Sequence, residues 1–325
     1  MNDTNIKLDD VAKAFAALPQ KGRNVICKGK VKAGGDLNTH IQGLAPYRMF
    51  HLITYSDFGE KAGRLLVVDR TPGQEALVGE LELPVMSEAR PYYFHPGGCQ
   101  MIGDCLVVPI ENGEGESFIT FMDVSDPKNI HEVNPAARIA RTYNDAGSVG
   151  VTNLTIAGKD FWLLCAYDNG GTDFYLSEDQ FPGKFKVIFS TTLEQRELQS
   201  LSLVSDVANN VFAVGMHRTP AGRDMAILYA VDLTRKKVTI LKDRHFRTTG
   251  PDDFVGGGAH FRWGGGIEIV SATELKLFCT GRRYDSRCNI NGFDSAQRSL
   301  RRASRLRSAA GGKPKTRRAR TRRPK

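Results

Sequence analysis

The feature that most constrains this chain is an internal repeat that reads short strand, tight turn, apolar strand, loop, strand and outer strand. Its clearest unit runs His95-Pro-Gly-Gly-Cys-Gln-Met-Ile-Gly-Asp104, Cys105-Leu-Val-Val-Pro109, a Gly-rich turn, Phe118-Ile-Thr-Phe-Met-Asp123 and a last strand near 130–140. Short apolar runs punctuated by Gly, Asp and Pro are strand-and-turn signals, because each run is too short for a helix and each break favours a turn. The same order returns in His40-Ile-Gln-Gly43 with 49–54, 65–69 and 76–81, then in 151–156, 161–166, 172–176 and 185–189. Two further units follow: 200–204, 211–215, 226–232 and 237–241, then 265–269, 275–279 and 288–293.

Second strands recur every ~50–65 residues, the spacing of four-stranded propeller blades with generous loops. The fifth unit has only three strands, while Asn24-Val-Ile-Cys-Lys-Gly-Lys-Val31 is a strand without a unit of its own. A ring of sheets leaves no open edge when a strand from one terminus completes the sheet begun by the other. The sequence therefore predicts an all-β fold, a five-bladed β-propeller over 23–295, with 24–31 as the fourth strand of the last blade. Residues 1–22 are read as an extension with a short helix at 10–18, capped by Asp9 or Asp10 and stopped by Pro19. A doubly wound α/β domain would need helical patterns between the strands, and a β-sandwich gives no reason for five returns of one unit.

Charge divides the chain sharply. The segment 296–325 holds ten arginines, three lysines and no acidic residue; without those 13, the 45 basic residues fall to 32, against 36 acidic ones. The formal charge of +9 thus belongs to a basic, disordered tail, and the body is mildly acidic. Nucleic acid or another polyanion is expected to bind the tail, through counterion release and with little sequence preference. The first ten residues lack a basic start and an apolar run, no stretch approaches a membrane span, and the six cysteines show no CxxC spacing. These features predict a cytoplasmic protein with reduced core thiols and no membrane partner.

At Phe118-Ile-Thr-Phe-Met-Asp-Val-Ser-Asp-Pro127 the chain resembles the LVIVD repeat, whose units pair an apolar run with Asp-Val-Ser-Asp-Pro and build β-propellers. Weaker echoes are Leu65-Leu-Val-Val-Asp69 and Leu228-Tyr-Ala-Val-Asp-Leu233. The resemblance implies the fold and carries no catalytic residue. Asp123 and Asp126 are explained locally, as carboxylates that accept backbone N–H groups and tighten the turn after a strand.

Candidate functional residues follow from the repeat register. His40 and His95 precede the innermost strands of adjacent blades and His260 precedes that of the last, so the three are candidates to hold a divalent metal or a ligand; no other cofactor is predicted. Gln100 and Ser202, polar residues of the inner strands, join the ligand-binding candidates, with Trp263 in the entry to the last unit. Glu268, Asp57, Glu111 and Asp168 are candidate catalytic carboxylates, since paired carboxylates serve as acid and base or nucleophile in glycosidases. The run Gly256-Gly-Gly-Ala-His-Phe-Arg-Trp-Gly-Gly-Gly266 lacks the Gly-Lys-Ser/Thr ending of a phosphate loop.

The function expected is a non-catalytic binding scaffold for a small molecule, glycan or protein. The alternatives are a glycosidase-like hydrolase using channel carboxylates or a histidine-bound metal, and polyanion binding through the tail. A chain ending at Asp294 is expected to lose salt-sensitive retention on immobilised DNA or RNA. Unchanged retention would assign that binding to the body.

Overall fold

The computed structural model describes residues 6–31, 38–85, 93–169, 171–178, 182–195, 197–251, 258–284 and 286–295. Helix α1 (Val11–Ala17) starts where the Asp10 carboxylate accepts the Lys13 N–H, and it buries Val11, Ala14 and Phe15. Leu18 leaves helical geometry with ψ 138°, as a residue before proline must. The strands follow as β1 (Arg23–Lys28), β2 (His40–Tyr47), β3 (Phe50–Asp57), β4 (Ala62–Asp69), β5 (Ala76–Glu82), β6 (His95–Pro96), β7 (Gln100–Ile102), β8 (Cys105–Glu111), β9 (Ser117–Asp123), β10 (His131–Glu132) and β11 (Ile139–Arg141). Next come β12 (Ser148–Ile156), β13 (Lys159–Asp168), β14 (Gly171–Ser177), β15 (Phe185–Thr192), β16 (Ser200–Ser205), β17 (Val211–Arg218), β18 (Asp224–Asp232), β19 (Lys237–Phe246), β20 (His260–Ser271), β21 (Glu274–Thr280) and β22 (Arg287–Asp294).

The fold is all-β. β12–β15 and β16–β19 are four-stranded antiparallel sheets in chain order, and β6–β11 form a third sheet whose innermost and outermost strands are each broken in two. The single outer strand expected near 130–140 is interrupted at Pro135–Ala137, where proline has no N–H to give the ladder and Asn134 caps the turn by accepting the Ala136 N–H. β1 pairs antiparallel with β22, from Arg23↔Gly292 to Lys28↔Arg287, which is the pairing expected of the unassigned N-terminal strand. It ends at Lys28 because Gly29 turns the chain at φ 138°. With this strand in place, β1-β22-β21-β20-β2-β3-β4-β5 forms a closed circuit of eight strands, whose two halves join through the parallel pairs Gly43↔Gly265 and Lys28↔Ala76. A buried asparagine ladder holds the register: Asn291 Nδ2 donates to Asn24 Oδ1 at 2.9 Å, and Asn24 Nδ2 donates to Asn289 Oδ1 at 3.1 Å. The tail 296–325 lies outside the described residues.

Apolar side chains gather between successive sheets. One cluster, with Leu52, Leu65 and Val108, fills the space between β2–β5 and the β6–β11 sheet, and another, with Val107, Val149 and Leu164, lies between that sheet and β12–β15. Leu163, Phe174 and Leu203 belong to the next, and Val214, Phe261 and Phe293 to the one that also covers α1. Ile41, Leu66 and Ile290 belong to the fifth, between β20–β22 and β2–β5. All six cysteines are free and buried, and burial pushes the thiols of Cys27, Cys99 and Cys165 up to about 12, in keeping with inert core residues. Asp123 and Asp126 accept the N–H groups of Ser125 and Lys128, the turn role expected of them.

The innermost strands meet backbone to backbone. Thr54 Oγ1 donates to Gly97 O at 2.8 Å, Gly98 pairs in parallel with Ser148, and the Leu201 N–H donates to Ser148 Oγ at 2.8 Å. The Gln100 side chain ties three inner strands together, accepting from Val151 N and Leu203 N and donating to Leu203 O at 2.8–3.0 Å. A Cβ on Gly266 would lie 1.7 Å from Leu44 O, and one on Gly97 would lie 2.3 Å from Gly147 O. Neither glycine has room for a side chain, so the main chains meet closely at these two points. Gly266→Ala is expected to lower the urea midpoint by the equivalent of about 1–3 kcal/mol or more, because the strands must part to admit a methyl group. Gly147→Ala, where the added carbon meets only Tyr167 O at 3.8 Å, is the matched control and should cost far less.

Candidate binding site at the beginning of the inner strands

Because the innermost strands run parallel, their first residues share one mouth and their last residues share the other. The predicted ligand residues divide between the two ends. Gln100 and Glu268 line a cavity of about 580 Å³ at the strand ends, together with Tyr47, Asp104 and Asn153. Gln100 is consumed by the backbone bonds described above, and Glu268 forms an ion pair with Arg70, accepting from Nη1 at 3.0 Å. Ser202 is buried at the waist, next to the close approach of Gly150. Asp57 is also buried, where it accepts from Gly59 N, Glu60 N and Arg64 Nε at 3.1–3.2 Å and so shapes the β3–β4 turn. These four side chains serve the scaffold or the opposite end and do not join the other candidates.

The remaining candidates converge at the first mouth. Gln42 donates through Nε2 to Nε2 of His40 at 2.6 Å and to Nε2 of His95. His40 Nδ1 donates to Asn38 O at 2.5 Å, and His95 Nδ1 donates to Glu111 Oε1 at 2.5 Å. An amide NH₂ donates, and both imidazoles turn their Nε2 toward this one nitrogen. Burial, with the His95, Arg282 and Arg283 charges adding to it, depresses His40 to about 4. Gln42 reaches this position because the β2–β3 register slips between Ile41 and Gly43, leaving it as the extra residue of a bulge that re-aims its side chain.

Aromatic rings wall the mouth. Phe58 stacks on His40 at 5.7 Å and 20°, packs edge-on to Phe94 at 5.2 Å, and approaches His95 at 5.7 Å. Lys61 lies over Phe94 at 4.6 Å. Trp263 stands against His40 at 5.7 Å and donates its indole N–H to His260 Nε2 at 3.1 Å. His260 is therefore turned toward Trp263 and not toward the His40–His95 pair. The four-residue shift in register between His260 and Gly265 projects this stretch outward. Among the described residues no three His, Cys, Asp or Glu side chains form a group able to hold a metal ion, so the three histidines do not assemble the metal centre considered from the sequence.

Carboxylates occupy one side of the mouth. Burial raises the carboxyl of Asp145, with the charges of Glu111 and Asp168 adding to it; burial likewise raises Asp168, with Glu111 adding to it. Arg141, buried against Asp173 Oδ2 at 2.7 Å and Tyr175 OH at 2.5 Å, donates to the Asp145 carbonyl at 3.2 Å and holds that loop. The sequence reading included Glu111 and Asp168 but missed Gln42, Phe58, Phe94, Arg141 and Asp145. Asp145 had a legible signal: it stands two residues before Gly147, as His95 stands two before Gly97. Gln42 needed the bulge and Arg141 needed the neighbouring sheet, and neither leaves a local signature.

Stability should fall as the pH drops through the range from about 6.5 to about 4, because unfolded His40 binds a proton there while folded His40 does not. His51, depressed to about 3 by burial and by Arg70, acts in the same direction. NMR titration should show both imidazoles protonating well below the ordinary histidine range, and a midpoint near 6.5 for His40 would contradict the buried Gln42 clamp.

No family model matches the chain, and no curated protein matches it in sequence. Solved structures do share its shape. The catalytic domain of a GH62 α-L-arabinofuranosidase from Coprinopsis cinerea superposes with a TM-score of 0.50 at 10% identity, covering 85% of this chain and 98% of that one. An α-L-arabinofuranosidase from Podospora anserina, solved in complex with cellotriose, gives a TM-score of 0.50 at 11% identity over the same shares. At such identities the likeness establishes a common fold and nothing further.

Proposed function

We propose that this chain is a five-bladed β-propeller that binds a hydroxyl-rich ligand, a glycan or a sugar-like small molecule, at the mouth where its inner strands begin. Five apolar clusters between successive sheets, the parallel inner strands and the circuit closed by β1 support the architecture. The LVIVD-like segment and the likeness to the two α-L-arabinofuranosidases agree with it.

One observation supports the ligand class: aromatic rings and hydrogen-bond acceptors lie close together where the inner strands begin, with Phe58 and Phe94 beside His95, and Glu111 bonded to it. A sugar ring has an apolar C–H face that packs on Phe58, Phe94 or Trp263, and hydroxyls that donate to Glu111, Asp145 and Asp168. The hydrogen-bonded His40–Gln42–His95 row between them adds polar contacts.

Hydrolysis of a glycoside is the second reading, favoured by the raised carboxyls of Asp145 and Asp168 beside Glu111. A carboxyl whose surroundings favour its protonated form is suited to protonate a leaving oxygen, while a neighbouring carboxylate takes the proton of the attacking water. Calorimetry against a panel of neutral mono- and oligosaccharides tests both. Binding is expected for the parent chain and is expected to weaken about tenfold or more in Phe58→Ala and Glu111→Gln. Release of reducing sugar that vanishes in Asp145→Asn while binding persists would add catalysis; no binding by any member of the panel would overturn the proposal.

A further inference from the structure

A second cavity shares one residue with the carboxylate side of the mouth. Asp168, which the charge of Glu111 reaches, also lines a cavity of about 300 Å³ at the end of the β12–β15 sheet, with Arg141, Asn144, Thr172, Ser190 and Thr191. Among the described residues no aromatic or aliphatic side chain lines it; its surface is hydroxyl, amide, carboxylate and guanidinium. Its size stands at the lower end of the range for small-molecule sites.

Charge in this cavity is already matched. Arg141 Nη1 donates to Asp173 Oδ2 at 2.7 Å, and Asp173 Oδ1 accepts from Ser190 Oγ at 2.5 Å. Hydrogen bonding is not matched. Nε of Arg141 and Oγ1 of Thr172, on residues only 2% exposed, have no hydrogen-bond partner among the described residues. Buried polar atoms are nearly always paired, so two orphans on the lining of one cavity mark a place where a ligand completes the bonding. The Thr172 hydroxyl turns between staggered positions about its Cα–Cβ bond and can answer a group in the cavity. What is missing is an acceptor for the Arg141 N–H and a group that accepts from or donates to the Thr172 hydroxyl. Neighbouring hydroxyls of a sugar ring supply both. An anion there would face Asp168 and Glu111, whereas a neutral polyol brings no charge to be repelled.

Resting on the hydroxyl-rich ligand proposed above, we infer that the cavity among Arg141, Asn144, Asp168, Thr172 and Thr191 is a second sugar subsite, and that the ligand is a neutral oligosaccharide of two or more residues. One residue packs at Phe58 and Glu111. The next enters the cavity, where its hydroxyls accept from Arg141 Nε, share a hydrogen bond with Thr172 Oγ1 and donate to Asp168. Selectivity for chain length follows, because a single residue reaches only one of the two sets of partners.

Thr172→Val separates the subsite from the scaffold. The hydroxyl has no partner to lose in the free chain, so this variant should keep or raise the urea midpoint while weakening oligosaccharide binding. Calorimetry on the full chain uses glucose, maltose, maltotriose, cellobiose and cellotriose. At least one disaccharide is expected to bind about tenfold or more tightly than glucose. Thr172→Val and Asn144→Ala should each weaken that disaccharide about fivefold to tenfold and leave glucose unchanged, and Asn153→Ala, at the opposite mouth, should change neither. Equal affinity for glucose and the longer sugars, indifferent to Thr172→Val, would overturn the subsite and leave the hydroxyl-rich reading at Phe58 standing. Oligosaccharide binding that Thr172→Val weakens and Phe58→Ala does not would keep the subsite and sink the reading at Phe58. A fall in the urea midpoint of Thr172→Val would show that the hydroxyl is already bonded in the free chain, and would overturn the subsite as well.

Discussion

Backbone crowding along the axis is the constraint on which the rest of this structure depends. Inner strands approach so closely at Gly97, Gly266 and the Gly43↔Gly265 pair that a Cβ on Gly97 or Gly266 would fall on main-chain atoms of the neighbouring strand. Contact at that distance needs glycine at those positions, at the cost of extra chain entropy. The entropy is offset by the apolar clusters between the sheets, which form only when the sheets are drawn to this spacing. The parallel inner strands also hold their early and late residues at two opposite ends.

Chemistry at the first mouth follows from that separation. Residues just ahead of the glycines, among them His40, His95, Asp145 and His260, are the first in each inner strand with room for a side chain. Polar groups brought together in partial burial must satisfy one another. Gln42 does so for two imidazoles at once, and Glu111 does so for His95. The result is a hydrogen-bonded row contributed by separate sheets. At the other mouth Glu268 meets Arg70 and Gln100 meets main-chain groups, so equally polar residues there are spent on the scaffold.

Joining the ends of the chain is the second structural requirement. β1 supplies the edge that β22 would otherwise expose, and its pairing is specified by buried amides, Asn24 with Asn289 and Asn291, that hydrogen-bond in only one register. Apolar residues alone would tolerate a slip along the strand. The N-terminal segment is further strapped to the outer strands, with Arg244 donating to the carbonyls of Phe15 and Leu18 at the end of α1.

The repeat, the all-β class, the helix cap at Asp10 and the pairing of β1 with the last sheet were legible in the sequence, because they rest on short-range patterns: apolar runs, turn residues and one strand left over. The histidine positions were legible for the same reason, as places in a repeat. What only the tertiary structure decided was which of these residues face one another. The bulge that turns Gln42 toward two imidazoles, the loop shift that turns His260 to Trp263, the Arg141 anchor beneath Asp145 and the split of the polar residues between two mouths all depend on contacts between separate sheets. A linear pattern gives a residue its place along a strand, but packing across the ring determines its direction, its partners and its charge.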